Sequence, residues 1–259
     1  MKIARFSMRS GSGAAGDPRF GIVDGDELVV LKGDPMFAGF ETTDERVPLS
    51  EAKLLAPVIP RSKVVAVGKN FVDHVAEFGG EVPKEPLLFL KPNTSVIGPG
   101  DAIVVPRQSK RVDFEGELAI VIGSIARNVA EADVDSVIFG YTIANDVTAR
   151  DLQKSDGQWA RAKGFDTFCP LGPVIETEFE VAANTVQSRL NGESRQSAPF
   201  TDMVHSVASI VAYVSAAFTL LPGDVILTGT PAGVGRMVDG DVIEIEISGI
   251  GILSNPVRG

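Results

Sequence analysis

The sequence predicts a mainly β chain with some helix, an α+β fold, and three observations carry that prediction. Short apolar runs recur along the chain and are bounded by Gly, Pro and Asp turn formers. A Gly-Asp pair leading into an apolar run appears at Gly100-Asp101-Ala102-Ile103, Gly223-Asp224-Val225-Ile226 and Gly240-Asp241-Val242-Ile243. Their spacing has no fixed period, which points to separate hairpin entries into one large sheet rather than to a solenoid. Finally, Ser206 to Leu220 is the one stretch with a clear helical stripe, formed by Val207, Ile210, Val211, Val214 and Phe218.

At 259 residues the chain is long enough to bury a large core, and its 44% hydrophobic and 22% charged residues are ordinary globular values. A formal charge of -10 argues against a nucleic-acid partner or an anionic membrane surface, though not against a small anionic substrate in a local basic pocket. The single cysteine, Cys169, excludes an internal disulfide and fits a reducing compartment. The opening MKIARFSMRSGSG has no apolar core of a secretory signal, and the tract from Val207 to Leu221 is interrupted by Ser209, Ser215 and Thr219. A soluble cytoplasmic protein is expected.

Residues 1–60 read as a small N-terminal domain. Lys2–Phe6, Phe20–Val23 and Glu27–Leu31 are strand candidates, with Asp24-Gly25-Asp26 as a turn. Asp34 to Ser50 reads as irregular, and Pro57-Val58-Ile59-Pro60 as a stiff linker. The larger unit, 61–259, opens with a buried strand at Lys63–Val67. Phe71 to Phe78 then reads as a short helix ended by Gly79-Gly80, followed by a Pro-punctuated loop and a buried strand at Leu87–Leu90. That helix and loop form either a mobile lid or a packed connector.

Candidate chemistry begins at RVDFEGELAIVIG, Arg111 to Gly123. Glu115 and Glu117 are two apart on a strand and share a face, while Leu118 to Ile122 is apolar on both parities, the mark of a strand covered on both sides. Two carboxylates entering such a strand repel each other and lose water. They are either a solvated strand end or a site that holds a cation. Glu244 and Glu246 in VIEIEI are the internal control, because Ile243, Ile245 and Ile247 keep to one parity, as in a half-buried strand with a wet face.

The strand Tyr141–Asp146 ends in the carboxylate of Asp146, ahead of a Thr148-x-x-Asp151 helix-start pattern. It is a turn aspartate or a third oxygen ligand, and as a ligand it would suit Mg2+, Mn2+ or Ca2+. His74 and Glu77, three apart on a helix, are either a surface pair or a general base with its orienting carboxylate. Lys163, in a stretch from Trp159 to Pro170 rich in turn formers and aromatics, is a solvated lysine or an active-site cation. The glycine loop Thr228 to Gly235 matches neither a dinucleotide fingerprint nor a P-loop. It is a tight turn, or a place where backbone N-H groups such as that of Gly229, with the Thr230 hydroxyl, hold a carboxylate.

Five blocks in order, GKNFVDHVAEFGGEVPKEPLLFLKP, DFEGELAIVIG, GYTIANDVTARDLQ, AKGFDTFCPLGP and LLPGDVILTGTPAGVG, resemble the fumarylacetoacetate hydrolase family, in its acylpyruvase and 2-hydroxyhepta-2,4-diene-1,7-dioate isomerase-like branch. They cover nearly everything from residue 63 to 250. The resemblance implies a mixed β-sandwich or roll behind a small N-terminal α+β domain. It also implies Mg2+ or Mn2+ held by Glu115, Glu117 and Asp146, a lid carrying His74 and Glu77, a catalytic Lys163, and substrate contacts from Arg150, Gln153, Gly229 and Thr230. The implied protein is a homodimer that hydrolyses a carbon-carbon bond of acylpyruvate-type β-diketo acids through an enolate stabilised by the ion. The alternatives are an oxaloacetate decarboxylase or tautomerase, a dioate isomerase, and a non-catalytic binding protein on the same fold. Lys69 and Phe71 stand where the family usually has Arg and Tyr, so a bidentate guanidinium and a phenol are absent.

Overall fold

The computed structural model describes residues 1–9, 16–77 and 81–259. Their strands form three sheets, of twelve, five and three strands. Ten strands of the largest sheet run in the order Thr42–Pro48, Glu27–Leu31, Arg19–Asp24, Lys2–Met8, Cys169–Glu176, Ile138–Asn145, Gly116–Ile122, Val225–Leu227, Val64–Gly68 and Leu87–Lys91. Ala52–Leu55 pairs beside Lys2–Met8, and Val96–Ile97 beside Cys169–Glu176. The N-terminal strands therefore extend the main sheet, through Lys2 opposite Glu176 and Ile3 opposite Ile175.

Gly116–Ile122 is the strand on which the site depends, and its side chains divide by parity. Leu118, Ile120 and Ile122 enter one core, whereas Ala119 and Val121 enter a second core with Val64, Ala66, Val225 and Leu227. Each large aliphatic side chain buried this way contributes roughly 1.5–3 kcal/mol, so both faces hold the strand in register. The five-stranded sheet, Glu193–Pro199, Thr185–Leu190, Val242–Ile247, Gly251–Arg258 and Ile103–Val104, supplies Ile245, Ile247 and Leu253 to the first core. The sheets approach closely at Gly116, where a Cβ would sit 3.1 Å from Ile245 Cγ2.

Several expectations need correction. Asp34 to Ser50 is not irregular: Pro35–Ala38 is helical, and Thr42–Pro48 is a strand paired with Glu27–Leu31. Its charges read as loop because an outermost strand leaves one side of its ladder to water, where charged residues are favoured. Leu87–Lys91 is not a buried strand, since it pairs only with Val64–Gly68 at the other end of the sheet and leaves Leu87 and Leu90 exposed. Thr148 caps no helix; its hydroxyl donates to the Asp146 carbonyl, Thr148–Ala149 pairs with Val112–Asp113, and the helix runs Arg150–Asp156. Part of the turn-rich stretch is the helix Ala160–Gly164. The long helix is Val207–Ala217, capped by Ser206, and Phe218 lies beyond it, partly exposed. The short helix spans Val72–Glu77; the proposed Gly79-Gly80 end lies outside the described residues.

The three Gly-Asp entries do not feed one sheet: Val225–Leu227 lies in the large sheet, while Ile103–Val104 and Val242–Ile247 lie in the five-stranded one. They share a turn rather than a hairpin. Asp101, Asp224 and Asp241 each donate their N-H to the carbonyl three residues earlier. Each carboxylate accepts the N-H of that same residue, Gly98, Leu221 or Val238, at 2.8–3.0 Å. The preceding glycines have φ of +76°, +87° and +90°, which such a turn requires at its third residue. The control strand is as expected: Ile243, Ile245 and Ile247 are buried, and Glu244 and Glu246 face Arg189 on the outer side. No helix among the described residues is long and apolar enough to cross a membrane.

Candidate active site

Glu115 falls in the break between the strands Val112–Phe114 and Gly116–Ile122, and Glu117 follows one residue into the second. Register brings Asp146 to them: Gly116 faces Asn145, the Asp146 N-H donates to the Glu115 carbonyl at 2.9 Å, and the Glu115 N-H donates to Asn145 Oδ1 at 2.9 Å. One carboxylate oxygen from each of Glu115, Glu117 and Asp146 lies within 4.8 Å of the others, and all three residues are buried. Of the two readings open for this pair, the solvated strand end is excluded by that burial.

Three cations reach the cluster from three different elements. Lys163, buried in the helix Ala160–Gly164, donates from Nζ to Glu115 Oε2 at 2.7 Å and to Asp146 Oδ2 at 2.5 Å. Lys91, at the end of Leu87–Lys91, donates to Asp146 Oδ1 at 2.6 Å. Arg150 donates to Glu115 Oε1 at 2.6 Å, to Asp113 Oδ2 at 3.0 Å and to Gln153 Oε1 at 2.8 Å. Arg150 and Gln153 are three apart on one helix, which lets the amide brace the guanidinium.

Glu117 differs from its neighbours. Its hydrogen bond among the described residues comes from the Gly229 N-H, at 2.6 Å. Burial, reinforced by Asp146 and Glu115, pushes its carboxyl well above the usual range. Glu115 moves the other way: burial opposes its ionisation, but Lys163, Arg150 and His74 hold it far below that range. Burial alone would lower Lys163, yet Asp146 and Glu115 keep it raised. The three cations pair with Glu115 and Asp146, and Glu117 is the one carboxylate of the three with no cation among its hydrogen-bond partners in the described residues. A buried all-oxygen donor set in that condition fits a hard divalent cation held by Glu115, Glu117 and Asp146.

These groups line a cavity of about 150 Å³ together with His74, Lys69, Gln153, Trp159 and Thr230. A cavity of that size holds roughly one six-membered ring, so a longer ligand must extend through the open mouth. His74 Nδ1 faces Glu77 Oε2 at 3.4 Å. Burial lowers the imidazole's pKa below its ordinary value, and Arg150 adds to this against the pull of Glu115 and Glu77. Glu77 Oε2 also accepts the Gly233 N-H at 3.3 Å, which ties the short helix to the glycine loop.

The structure therefore brings Glu115, Glu117, Asp146, His74, Lys163, Arg150, Gln153 and Thr230 to one cavity. Two of the expected ligand-holding groups are already engaged with the protein. The Gly229 N-H serves Glu117, and the buried Thr230 hydroxyl donates to the Gly116 carbonyl at 2.9 Å while accepting from Gln196 Nε2 at 2.8 Å. Phe71 is buried and lines a different hollow, whereas Lys69 lines this one. Lys91, Asp113 and Gln196 escaped sequence reasoning. A lysine between an apolar strand and a proline reads as a solvated end. The only signal was parity, because Lys91 shares a strand face with Phe89, whose ring lies 5.0 Å from Lys163 Nζ.

Two family descriptions match the chain, "Fumarylacetoacetate (FAA) hydrolase C-terminal" over residues 63–258 and "Rv2993c-like, N-terminal" over residues 1–57. The chain is 42% identical over 222 residues to oxaloacetate tautomerase Fahd2a, mitochondrial, of Rattus norvegicus, with 82% of this chain and 71% of that protein covered. It superposes with a TM-score of 0.90 and 44% identity on 5-carboxymethyl-2-hydroxymuconate delta-isomerase from Mycobacterium smegmatis, covering 100% of this chain and 99% of that one. A maleylpyruvate hydrolase from Sphingobium sp. SYK-6, solved with manganese (II) ion and pyruvate, gives 0.80 at 32% identity, with 100% and 99% covered.

Proposed function

The chain belongs to the fumarylacetoacetate hydrolase family, and we propose that it is an enzyme of small 2-oxo acids that moves a proton at the carbon next to the 2-oxo group, as a tautomerase or isomerase. One observation carries this reading: His74, with Glu77 against its Nδ1, lines a small cavity together with the carboxylate triad and Lys163. Relatives at 42–44% identity bear tautomerase and isomerase names, which favours return of the proton over cleavage.

Glu115, Glu117 and Asp146 would hold Mg2+ or Mn2+, and such an ion supplies positive charge beside the oxygens of a 2-oxo acid. The chain's own residues do the rest. With Nδ1 turned to Glu77, His74 would accept a proton from the substrate carbon at Nε2 and return it elsewhere. Its lowered pKa keeps the imidazole neutral, the form a base needs, at neutral pH. Lys163 and Arg150 keep fixed positive charge where negative charge develops, and burial among carboxylates prevents them from drifting to water.

The second reading is hydrolysis of an acylpyruvate, favoured by the likeness to the maleylpyruvate hydrolase. There His74 takes its proton from a water that attacks the distal carbonyl. Oxaloacetate and acetylpyruvate, supplied with Mg2+ or Mn2+ and with an EDTA control, separate the readings when enol-keto conversion, carbon-carbon cleavage and decarboxylation are scored individually. Metal-dependent enol-keto conversion as the fastest reaction supports the first reading, dominant cleavage the second. No metal-dependent turnover of any 2-oxo acid defeats both.

A further inference from the structure

We propose that Gln196 is a positioning residue for the carboxylate triad, acting through the backbone between Glu115 and Glu117; this rests on the reading of Glu115, Glu117 and Asp146 as ligands of a divalent ion. Gln196 lies on Glu193–Pro199, an outermost strand of the five-stranded sheet, yet its side chain is buried. Its amide oxygen accepts the Gly116 N-H at 3.0 Å, and its nitrogen donates to Thr230 Oγ1 and to the Pro231 carbonyl, both at 2.8 Å. An N-H on one side and a carbonyl on the other fix which way the amide faces. The Thr230 hydroxyl donates in turn to the Gly116 carbonyl at 2.9 Å. Gly116, Gln196 and Thr230 therefore close a ring of three hydrogen bonds.

That ring stands where a neighbouring strand ends. Val225–Leu227 pairs with Ala119 to Val121, and the Thr228 N-H reaches the Leu118 carbonyl at 3.0 Å. At Gly116 the side chains of Gln196 and Thr230 take both backbone groups instead. Glu115 and Glu117 flank this one residue, so holding it sets their separation. The same outermost strand seats the glycine loop. Gly233 has φ of +96°, and a Cβ there would come within 2.2 Å of the Arg195 carbonyl oxygen, so the loop packs directly on the backbone beside Gln196. From that loop the Gly229 N-H holds Glu117 and the Gly233 N-H meets Glu77. Gln196 thus braces the cluster twice, through Gly116 and through the loop. Groups that orient ligands without touching the ion govern how tightly the ion is held.

The test is a calorimetric titration of the full chain with Mn2+, with a urea midpoint measured for each metal-free variant. Gln196→Met keeps the volume and loses all three amide hydrogen bonds. Gln196→Asn keeps an amide, one methylene too short to reach both sides. Ser188→Ala is the control: its hydroxyl accepts the Gln196 backbone N-H at 3.2 Å, so its loss perturbs the same residue without touching the amide. Both Gln196 variants should bind Mn2+ about 10–100-fold more weakly than the wild type. Ser188→Ala should bind it as the wild type does, even where its urea midpoint falls as far. Gln196→Asn decides the matter if Gln196→Met does not fold. Folded Gln196 variants with wild-type affinity, a Ser188→Ala loss as large as theirs, or failure of both Gln196 variants to fold overturns this inference alone, because the amide then serves the fold and not the triad. A wild-type protein that binds neither Mn2+ nor Mg2+ overturns the reading of the triad and this inference with it.

Discussion

Lys91 Nζ lies 2.6 Å from Asp146 Oδ1, with both side chains buried. The contact joins an outermost strand to the end of a central one, and it compensates a carboxylate that is also held by Lys163. In Lys91→Met the carboxylate keeps its burial but loses one partner, a loss that typically costs about 3–5 kcal/mol. A divalent ion should restore part of that stability, so thermal unfolding of Lys91→Met should respond more strongly to added Mn2+ than unfolding of the wild type. Equal responses would place Asp146 outside the ion's reach.

His74→Ala should leave Mn2+ binding near wild type, because the imidazole is not among the three converging carboxylates. Proton transfer or hydrolysis should fall by roughly 10²–10⁴, the usual contribution of a positioned base. Decarboxylation of oxaloacetate, which requires no proton abstraction by the imidazole, should largely survive. Calorimetric metal titration and turnover on the same preparation read both quantities.

Burial lowers the His74 pKa, with Glu115 and Glu77 opposing. The base is neutral above its folded pKa, so the acid limb of kcat/KM should lie below the ordinary value of 6.5. Glu77→Gln removes an influence that raises the pKa, and the limb should move further toward acid while the rate falls. For stability the sign is that of a buried neutral base. Its contribution is present above the unfolded pKa of about 6.5 and is lost as pH falls through the lower folded value. An acid limb above 6.5 would remove His74 from the role of base.

Gly229 has φ of +97°, and a Cβ there would meet the Asn70 Cβ at 2.7 Å. Gly229→Ala therefore strains the loop and displaces the N-H that holds Glu117. A loss of about 1–3 kcal/mol is expected from the backbone alone, with weaker metal binding beyond it. Denaturant melts and a metal titration separate the two effects.

Burial pushes the Cys169 thiol up to about 12. Folded protein should react very slowly with thiol reagents at neutral pH, so the labelling rate should report global opening. Labelling that is fast compared with unfolding would show local opening beside the carboxylate cluster.

Much of the site was legible because its signals are local and chemical. Two glutamates leading into a strand apolar on both parities have to be compensated inside the protein, and the strict alternation around Glu244 and Glu246 shows what a pair on a wet face looks like. The family blocks then joined Asp146, His74 and Lys163 to that pair, residues whose separate patterns left ordinary surface readings open.

What the sequence determined by itself was composition, periodicity and turn chemistry: a mainly β chain, a central strand buried on both faces, a half-wet control strand and the family. The tertiary structure decided who meets whom. Thr42–Pro48 is a strand because Glu27–Leu31 is available to pair with it. Lys91 is a buried partner of Asp146 because an outermost strand ends against it, and the Thr230 hydroxyl is engaged within the protein because Gly116 and Gln196 reach it. Local pattern encodes how much of a side chain must be hidden. Its partner comes from elements tens of residues away, and only their packing against Glu115 and Glu117 sets which charges are matched.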